Sequence, residues 1–251
     1  MEIIRQPDDE IRAGDWVTNR LKSEKFNRLS VAVAFVKTSG VSRIERALKE
    51  FIDNGGKVKF AVGVDHRGTS IEGLLALMNL IGASNEIWVV HNTDRRETPT
   101  FHPKVYLFES DEFAEVLIGS NNLTKGGLFT NYEASVSFLL HRADPDEKGI
   151  WEKLQSTFDD WCRGTDISKR LNDEVLARLR DENKLGSEQA EQAERSKERS
   201  RVSSGEADEE TGSNRPPLFG GMHIRPAPRP TASITPIEES DVTESVNPRV
   251  N

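Results

Sequence analysis

The chain has 251 residues, enough for one substantial domain or for one domain and a tail. It carries 34 Lys and Arg against 42 Asp and Glu, so its net charge of -8 excludes a global basic field, although a few cations in a cleft suffice for a local phosphate site. A single cysteine, Cys162, excludes an internal disulfide framework and a cysteine-rich zinc module. The first thirty residues lack a signal-peptide pattern and no apolar run reaches the roughly 18 residues of a membrane span, so we expect a soluble, cytoplasmic protein without a membrane partner.

The chain before residue 185 alternates between strand and helix patterns. Residues 29–36 form a nearly continuous apolar run, typical of a strand covered on both faces. Apolar residues then recur at helical spacing until Ile52, and Gly55 and Gly56 end that helix. Further strands are predicted at 57–64, 86–90, 101–108, 115–118 and 132–140, and further helices at 70–81, 147–163 and 168–184. We therefore predict one α/β domain over residues 1–184, with a mixed, mostly parallel sheet flanked by helices.

The composition changes near Leu185. Residues 185–251 contain 12 acidic and 8 basic residues, seven of the 11 prolines and one aromatic residue, which predicts a disordered, acidic, proline-rich tail. Within it, residues 188–201 could prolong a helix, and residues 225–230 favour polyproline II. The apolar cluster at 217–222 is either a short motif for a partner protein or a chance cluster in an inert tail.

The first candidate for catalysis is the pair His102 and Lys104. Two residues apart on a predicted strand, they project from the same face with Cα atoms about 6–7 Å apart. An imidazole beside a fixed ammonium suits attack on a phosphate, because the cation neutralises the nonbridging oxygens. The same pair also suits an ordinary half-exposed strand face. Pro103 has no backbone N–H and indicates that the strand starts here.

The second candidate is the segment Gly119-Ser120-Asn121-Asn122, which directly follows an apolar run. Small polar side chains and free backbone N–H groups at the end of a strand favour anion binding. Ser120 and Asn122 are two residues apart and could face the direction that His102 faces. Gly, Ser and Asn also dominate ordinary turns, so the segment alone leaves both interpretations open.

The third candidate is Glu133 at the start of the predicted strand 132–140, on the same strand face as Ser135 and Ser137. A carboxylate there could accept a hydrogen bond from an imidazole N–H, which fixes the tautomer and stabilises the positive charge that forms. The alternative is a solvent-facing glutamate at a sheet edge.

Together the three segments resemble the signature of the phospholipase D superfamily: His-x-Lys, an acid after four more residues, Gly-Ser-x-Asn, and a Glu about eleven residues later. The matching residues are His102, Lys104, Glu109, Gly119, Ser120, Asn122 and Glu133. At position 109 the family usually has Asp, so Glu109 and the supporting role assigned to it depart from the family pattern. The resemblance covers roughly residues 29–163 and implies a phospholipase D-like fold.

The resemblance also implies a phosphodiesterase that needs neither metal nor other cofactor. His102 would attack phosphorus and form a phosphohistidine. Lys104 and Asn122 would hold the phosphate with Ser120 as a weaker contributor, and Glu133 would orient the imidazole. The sequence agrees about the metal, because no cluster of Cys, His or Asp stands out at ligand spacing.

Four more residues are candidates for contact with a substrate. Lys125, Arg95 and Arg96 are candidate contacts to backbone phosphates, although the two arginines also suit a solvated loop. His66 follows a predicted strand and could line the cleft.

The implied mechanism needs two histidines, and this chain holds one motif. Short single-motif members of the superfamily are largely nucleases, including metal-independent restriction endonucleases, which complete the site by homodimerisation. We therefore expect a DNA nuclease that is an isologous homodimer with two His102 side chains facing across the axis.

Two alternatives stay open. One is a phospholipase D-type lipid phosphodiesterase, although no amphipathic or basic anchor is present. The other is a non-catalytic nucleic-acid-binding subunit of a DNA-processing or defence complex. Most of a protein's affinity for duplex DNA comes from contacts of Lys and Arg with phosphates. This chain has no dense run of basic residues, which argues against strong DNA binding by one copy alone. Either basic residues converge on one face of the dimer, or a partner protein brings the substrate.

Overall fold

A computed structural model describes residues 1–93, 99–203 and 224–230. The strands are β1 (Glu2–Gln6), β2 (Arg28–Val33), β3 (Lys57–Gly63), β4 (Glu86–Val90), β5 (Lys104–Glu109), β6 (Phe113–Gly119), β7 (Glu133–His141) and β8 (Ser168–Arg170). The helices are α1 (Ala13–Leu21), α2 (Thr38–Asp53), α3 (Ile71–Ile81), α4 (Pro145–Trp161), α5 (Asp173–Asp181) and α6 (Glu188–Ser203). Short helical turns lie at Asp65–Arg67 and Gly126–Thr130.

All eight strands form one sheet in the order β1-β7-β6-β5-β2-β3-β4-β8. The mixed sheet flanked by helices is confirmed, but its parallel part is limited to the neighbours β2, β3 and β4. The other five pairs are antiparallel. Only residues 110–112 join β5 to β6, and such a short connection cannot make the crossover that parallel strands require. The prediction of a mostly parallel sheet overestimated that part.

Most predicted elements are present with shifted ends. Strand β5 begins at Lys104, directly after Pro103, as the missing backbone N–H indicated. The predicted helix 168–184 is instead β8 followed by α5, because the side chain of Asn172 accepts a hydrogen bond from the backbone N–H of Val175 at 2.8 Å and starts the helix there. Elements β1 and α1 were not predicted.

Both faces of the sheet are covered. Helices α1, α2, α3 and α5 cover one face, and α4 covers the other through Trp151 and Phe158. The side chains of β5 alternate between these layers, with Tyr106 in the first core and Leu107 in the second. The same alternation assigns Lys104 to the first face, because it lies two residues from Tyr106.

Parts of the predicted tail pack against the domain. Leu185 is buried in the first core and Gly186 pairs with Ser70, so the folded part extends beyond residue 184. Helix α6 follows, as the composition of residues 188–201 indicated.

The proline-rich segment 224–230 also lies against the domain. Buried Arg12 donates hydrogen bonds at 3.1 Å to the carbonyl oxygens of Arg225 and Pro226. A proline-rich segment leaves carbonyls without internal partners, which makes them available to a buried guanidinium. The prediction of disorder is therefore wrong for these residues. The cluster at 217–222 lies outside the described residues.

Among the helices that the structure describes, we find no candidate for a membrane span.

Candidate active site

The site lies in the middle of the sheet, at the end of the strands where β2 ends and β5 begins. The two strands are antiparallel and pair Val33 with Lys104, so the residues after β2 meet the residues before β5. The rings of Phe35 and His102 make this contact, with centroids 5.9 Å apart in a T-shaped arrangement. His102 therefore lies just before the start of β5, where it is exposed to solvent and packs against the ring of Phe35.

Lys104 is buried beneath His102, with 6% of its surface exposed. Its Nζ atom lies 2.7 Å from Nδ1 and 2.9 Å from Nε2 of the imidazole, and donates to the His102 carbonyl oxygen at 3.0 Å. Burial lowers the pKa of His102, and the charges of Lys104 and His66 lower it further. The imidazole is therefore neutral at neutral pH and keeps the lone pair that a nucleophile needs.

The pKa of Lys104 is itself lowered by burial, an effect that the carboxylate of Glu133 opposes. A phosphate bound at the ammonium would likewise raise the pKa of Lys104, since an anion favours the charged form. The buried lysine is therefore suited to a ligand that brings negative charge.

The loop Gly119–Asn122, called the GSNN loop below, is fastened to the segment after β2. The side-chain Oδ1 of Asn122 accepts a hydrogen bond from the backbone N–H of Phe35 at 3.0 Å. The next residue, Leu123, donates to the Phe35 carbonyl oxygen at 3.1 Å and accepts from the N–H of Lys37 at 3.0 Å. With Oδ1 engaged, the amide Nδ2 of Asn122 is the group that can donate to an anion.

Glu133 begins β7 beside this loop. Its Oε1 atom accepts a hydrogen bond from the side chain of Asn131 at 3.3 Å, and its charge acts on Lys104. Ser120 joins β6 to β7, since its hydroxyl accepts from the N–H of Ala134 at 3.1 Å and donates to the Ala134 carbonyl at 3.4 Å. Asn131, rather than His102, is the partner seen for Glu133, so an orienting role toward the imidazole stays a prediction.

Glu109 is not brought to the site. It ends β5 roughly 16 Å along the strand from Lys104, with its side chain on the opposite face. The buried carboxylate accepts hydrogen bonds from the indole N–H of Trp151 at 2.7 Å and from Gln155 at 2.6 Å. These hydrogen bonds stabilise the packing of α4 against the sheet.

The predicted substrate contacts are only partly described. Lys125 is exposed just beyond the GSNN loop, and its backbone N–H donates to the hydroxyl of Ser39 at 3.3 Å. Arg95 and Arg96 lie outside the described residues.

Sequence reasoning missed Gln6, which organises the back of the site. This residue is 1% exposed at the end of β1, and its Nε2 donates to the carbonyl oxygens of Gly127 at 3.0 Å and Gly126 at 3.2 Å. Its Oε1 accepts from the side chain of Asn121 at 3.3 Å and from the N–H of Ala13 at 3.2 Å. One buried amide thus connects β1, α1 and the GSNN loop.

The arrangement suits a phosphate ester. The imidazole of His102 is in contact with the buried ammonium of Lys104, and Phe35 contacts both the imidazole and the side chain of Asn122. Over residues 1–93, 99–203 and 224–230, no group of three or more His, Cys, Asp or Glu side chains is placed to hold a metal ion. For a bound phosphate, Lys104 could supply positive charge and the Asn122 amide a hydrogen-bond donor.

Comparison with known proteins identifies the family. A family model described as "NgoFVII restriction endonuclease N-terminal PLD domain" matches residues 17–157, more than half of the chain. No curated protein matched the chain in sequence.

Three solved structures are similar. Nuc from Salmonella typhimurium, a phospholipase D family member, is 22% identical with a TM-score of 0.47, over 68% of this chain and 97% of its own. NucT from Helicobacter pylori is 15% identical with a TM-score of 0.48, over 64% and 93%. Polyphosphate kinase from Porphyromonas gingivalis is 14% identical with a TM-score of 0.50, over 70% and 24%, a likeness of fold alone.

Proposed function

Since the chain belongs to the NgoFVII restriction endonuclease N-terminal PLD domain family and is a hydrolase of phosphodiester bonds, we propose that it cleaves DNA through a phosphohistidine at His102 without a metal ion. The observation that carries the proposal is the contact of the buried Lys104 ammonium with the His102 imidazole. Burial and, after it, the charge of the ammonium lower the pKa of the His102 imidazole, and the ammonium provides positive charge where the phosphate would bind.

The reaction divides into two displacements. Lys104 and Asn122 Nδ2 bind the nonbridging oxygens while a nitrogen of His102 attacks phosphorus, forming a P–N bond and breaking the P–O bond to the leaving strand. The leaving oxygen takes a proton from an acid across the site. Water then attacks phosphorus, the P–N bond breaks, and the water proton returns to the residue that acted as the acid, so both groups are restored.

The acid is His102 of a second copy of this chain, brought by a symmetric homodimer. Ile3, Val136 and Ile118 pair in register across β1, β7 and β6. Ile3 is 69% and Ile118 38% exposed, and Ile118 directly precedes the GSNN loop. The row ends at Val105 of β5, which is buried in the second core on the face opposite Lys104. A second copy packed on the exposed part of the row would bury it and bring the two sites together.

The dimer predicts a mass of twice 28.1 kDa for the wild-type protein in sedimentation equilibrium. Ile118→Arg should shift the protein toward monomer and lower DNA cleavage in parallel, because a charge in the contact is costly to bury. Ile150→Arg is the matched control, since Ile150 is 50% exposed on α4. A monomeric wild-type protein with full activity would contradict the proposed proton donor.

The function itself is tested by offering single-stranded DNA, duplex DNA, RNA and phosphatidylcholine vesicles, each with and without EDTA. We expect DNA cleavage at the same rate in both conditions, because lysine and amide groups bind the phosphate. Abolition by EDTA would contradict the metal-free chemistry. Hydrolysis of phosphatidylcholine without DNA cleavage would support the lipid phosphodiesterase instead.

A further inference from the structure

The turn after β3 has an unusual backbone. His66 and Arg67 are consecutive non-glycine residues, and both have φ of +54°, in the left-handed region. Residues other than glycine rarely adopt this conformation, and where they do the surroundings must hold them, often beside a functional site.

The surroundings that hold this turn are the two segments that carry the active site. The buried carboxylate of Asp65 accepts a hydrogen bond from the backbone N–H of Phe101 at 2.9 Å and contacts Nδ1 of His91 at 2.6 Å. On the other side, Gly68 packs so closely on Phe35 that a Cβ atom there would lie 2.2 Å from the ring. The turn is thus clamped to the residue before His102 and to the ring that supports His102.

The clamp presents the side chain of His66 beside the nucleophile. Nε2 of His66 lies 3.0 Å from the hydroxyl of Thr100, two residues before His102. The imidazole is exposed, and its charge is among those that act on His102. Nε2 is thus engaged with Thr100, which leaves Nδ1 as the ring nitrogen that can donate a hydrogen bond to an anion.

We infer that His66 binds a backbone phosphate of the nucleic-acid strand, the one neighbouring the phosphate that His102 attacks. Lys104 and Asn122 already serve the scissile phosphate, and His66 lies outside them on a clamped turn. A nucleic-acid strand presents a phosphate at every nucleotide, and contacts to such phosphates fix the register of the strand. The inference rests on the proposed nuclease function and adds to it a residue that positions the strand.

The test compares two substrates in the full chain. Bis(p-nitrophenyl) phosphate carries one phosphate, whereas a DNA oligonucleotide that the wild-type protein cleaves carries neighbours. His66→Ala should raise KM for the oligonucleotide about ten- to hundredfold, the loss of one hydrogen bond to a charged group, with kcat within twofold. It should leave kcat/KM for bis(p-nitrophenyl) phosphate within twofold.

His66→Gln retains a side-chain donor and should recover at least half of the lost oligonucleotide affinity. His141→Ala, which removes another exposed histidine at the end of β7, should match the wild type on both substrates. Equal losses on both substrates would overturn the inference, because they would place His66 at the reacting phosphate or in the fold. Unchanged oligonucleotide kinetics would also overturn it while leaving the proposed function intact. A wild-type protein that cleaves neither substrate would refute the proposed function, and the inference with it.

Discussion

His102→Ala should lower kcat/KM for DNA by at least about 10⁴-fold, the scale expected when a covalent nucleophile is removed. The side chain is exposed and makes its contacts with Lys104 and Phe35 just before the start of β5, so the fold should survive. Initial rates on a labelled oligonucleotide measure the loss, and a thermal melt within a few degrees of the wild type confirms that the protein is folded.

The covalent intermediate gives this prediction a second readout. With a substrate labelled at the scissile phosphate and acid-free denaturation, the wild-type protein should carry label on His102, and the variant should carry none. His141→Ala should label and cleave like the wild type, since His141 contacts Glu147 at the far end of β7. More than a tenth of wild-type activity in His102→Ala, or label on another residue, would contradict the assignment.

The contact between His102 and Lys104 was predictable from their spacing, whereas their catalytic roles are implied by the resemblance and stay a prediction. His102 and Lys104 are two residues apart, and the structure keeps them in contact although the strand starts only at Lys104. The position of Asn122 was predictable for a related reason, since a polar loop that follows an apolar strand lies at the end of that strand. What the spacing could not show is which strand lies beside β5. That neighbour is β2, which brings Phe35 to both His102 and Asn122.

Glu109 and Gln6 show the limits of pattern alone. Glu109 occupies the position of the motif's acid, yet its partners on α4 can be identified only when helix and strand are packed. Gln6 gave no signal, because a polar residue in a short strand suggests an exposed edge until the fold places the loop at 126–127 against it. Long-range partners of buried amides depend on tertiary packing, which local periodicity does not encode.

The segment 224–230 was missed for a similar reason. Low apolar content argues against an independent core, but packing on an existing domain needs only a few contacts. Arg12 is buried and requires acceptors, which the carbonyl oxygens of Arg225 and Pro226 supply. Composition measures what a segment can bury by itself, so it overlooks a segment that satisfies a buried group elsewhere.

Lys104→Met should lower kcat/KM for DNA about 1,000-fold, because the substitution removes the buried cation that binds the reacting phosphate in the proposed mechanism. It should also raise the pKa of His102 toward the ordinary histidine value, since the charge of Lys104 is one of the causes that lower it, after burial. In the proposed mechanism the neutral imidazole is the active form, so the activity of the wild type should fall as the pH drops through the lowered pKa of His102. Activity falls again as the pH rises through the pKa of Lys104, which burial lowers.

The pH profile of kcat/KM, together with an NMR titration of His102, separates the electrostatic role of Lys104 from a structural one. In Lys104→Met the acid limb should move to higher pH and the basic limb should disappear. Lys104→Arg keeps a cation and is the matched control, for which the His102 titration should stay close to that of the wild type. Met fills a similar volume in the buried position, so both variants should remain folded. If His102 titrates at the same pH in Lys104→Met and in the wild type, the ammonium does not contribute to the lowered pKa of His102, and burial with the charge of His66 must account for it.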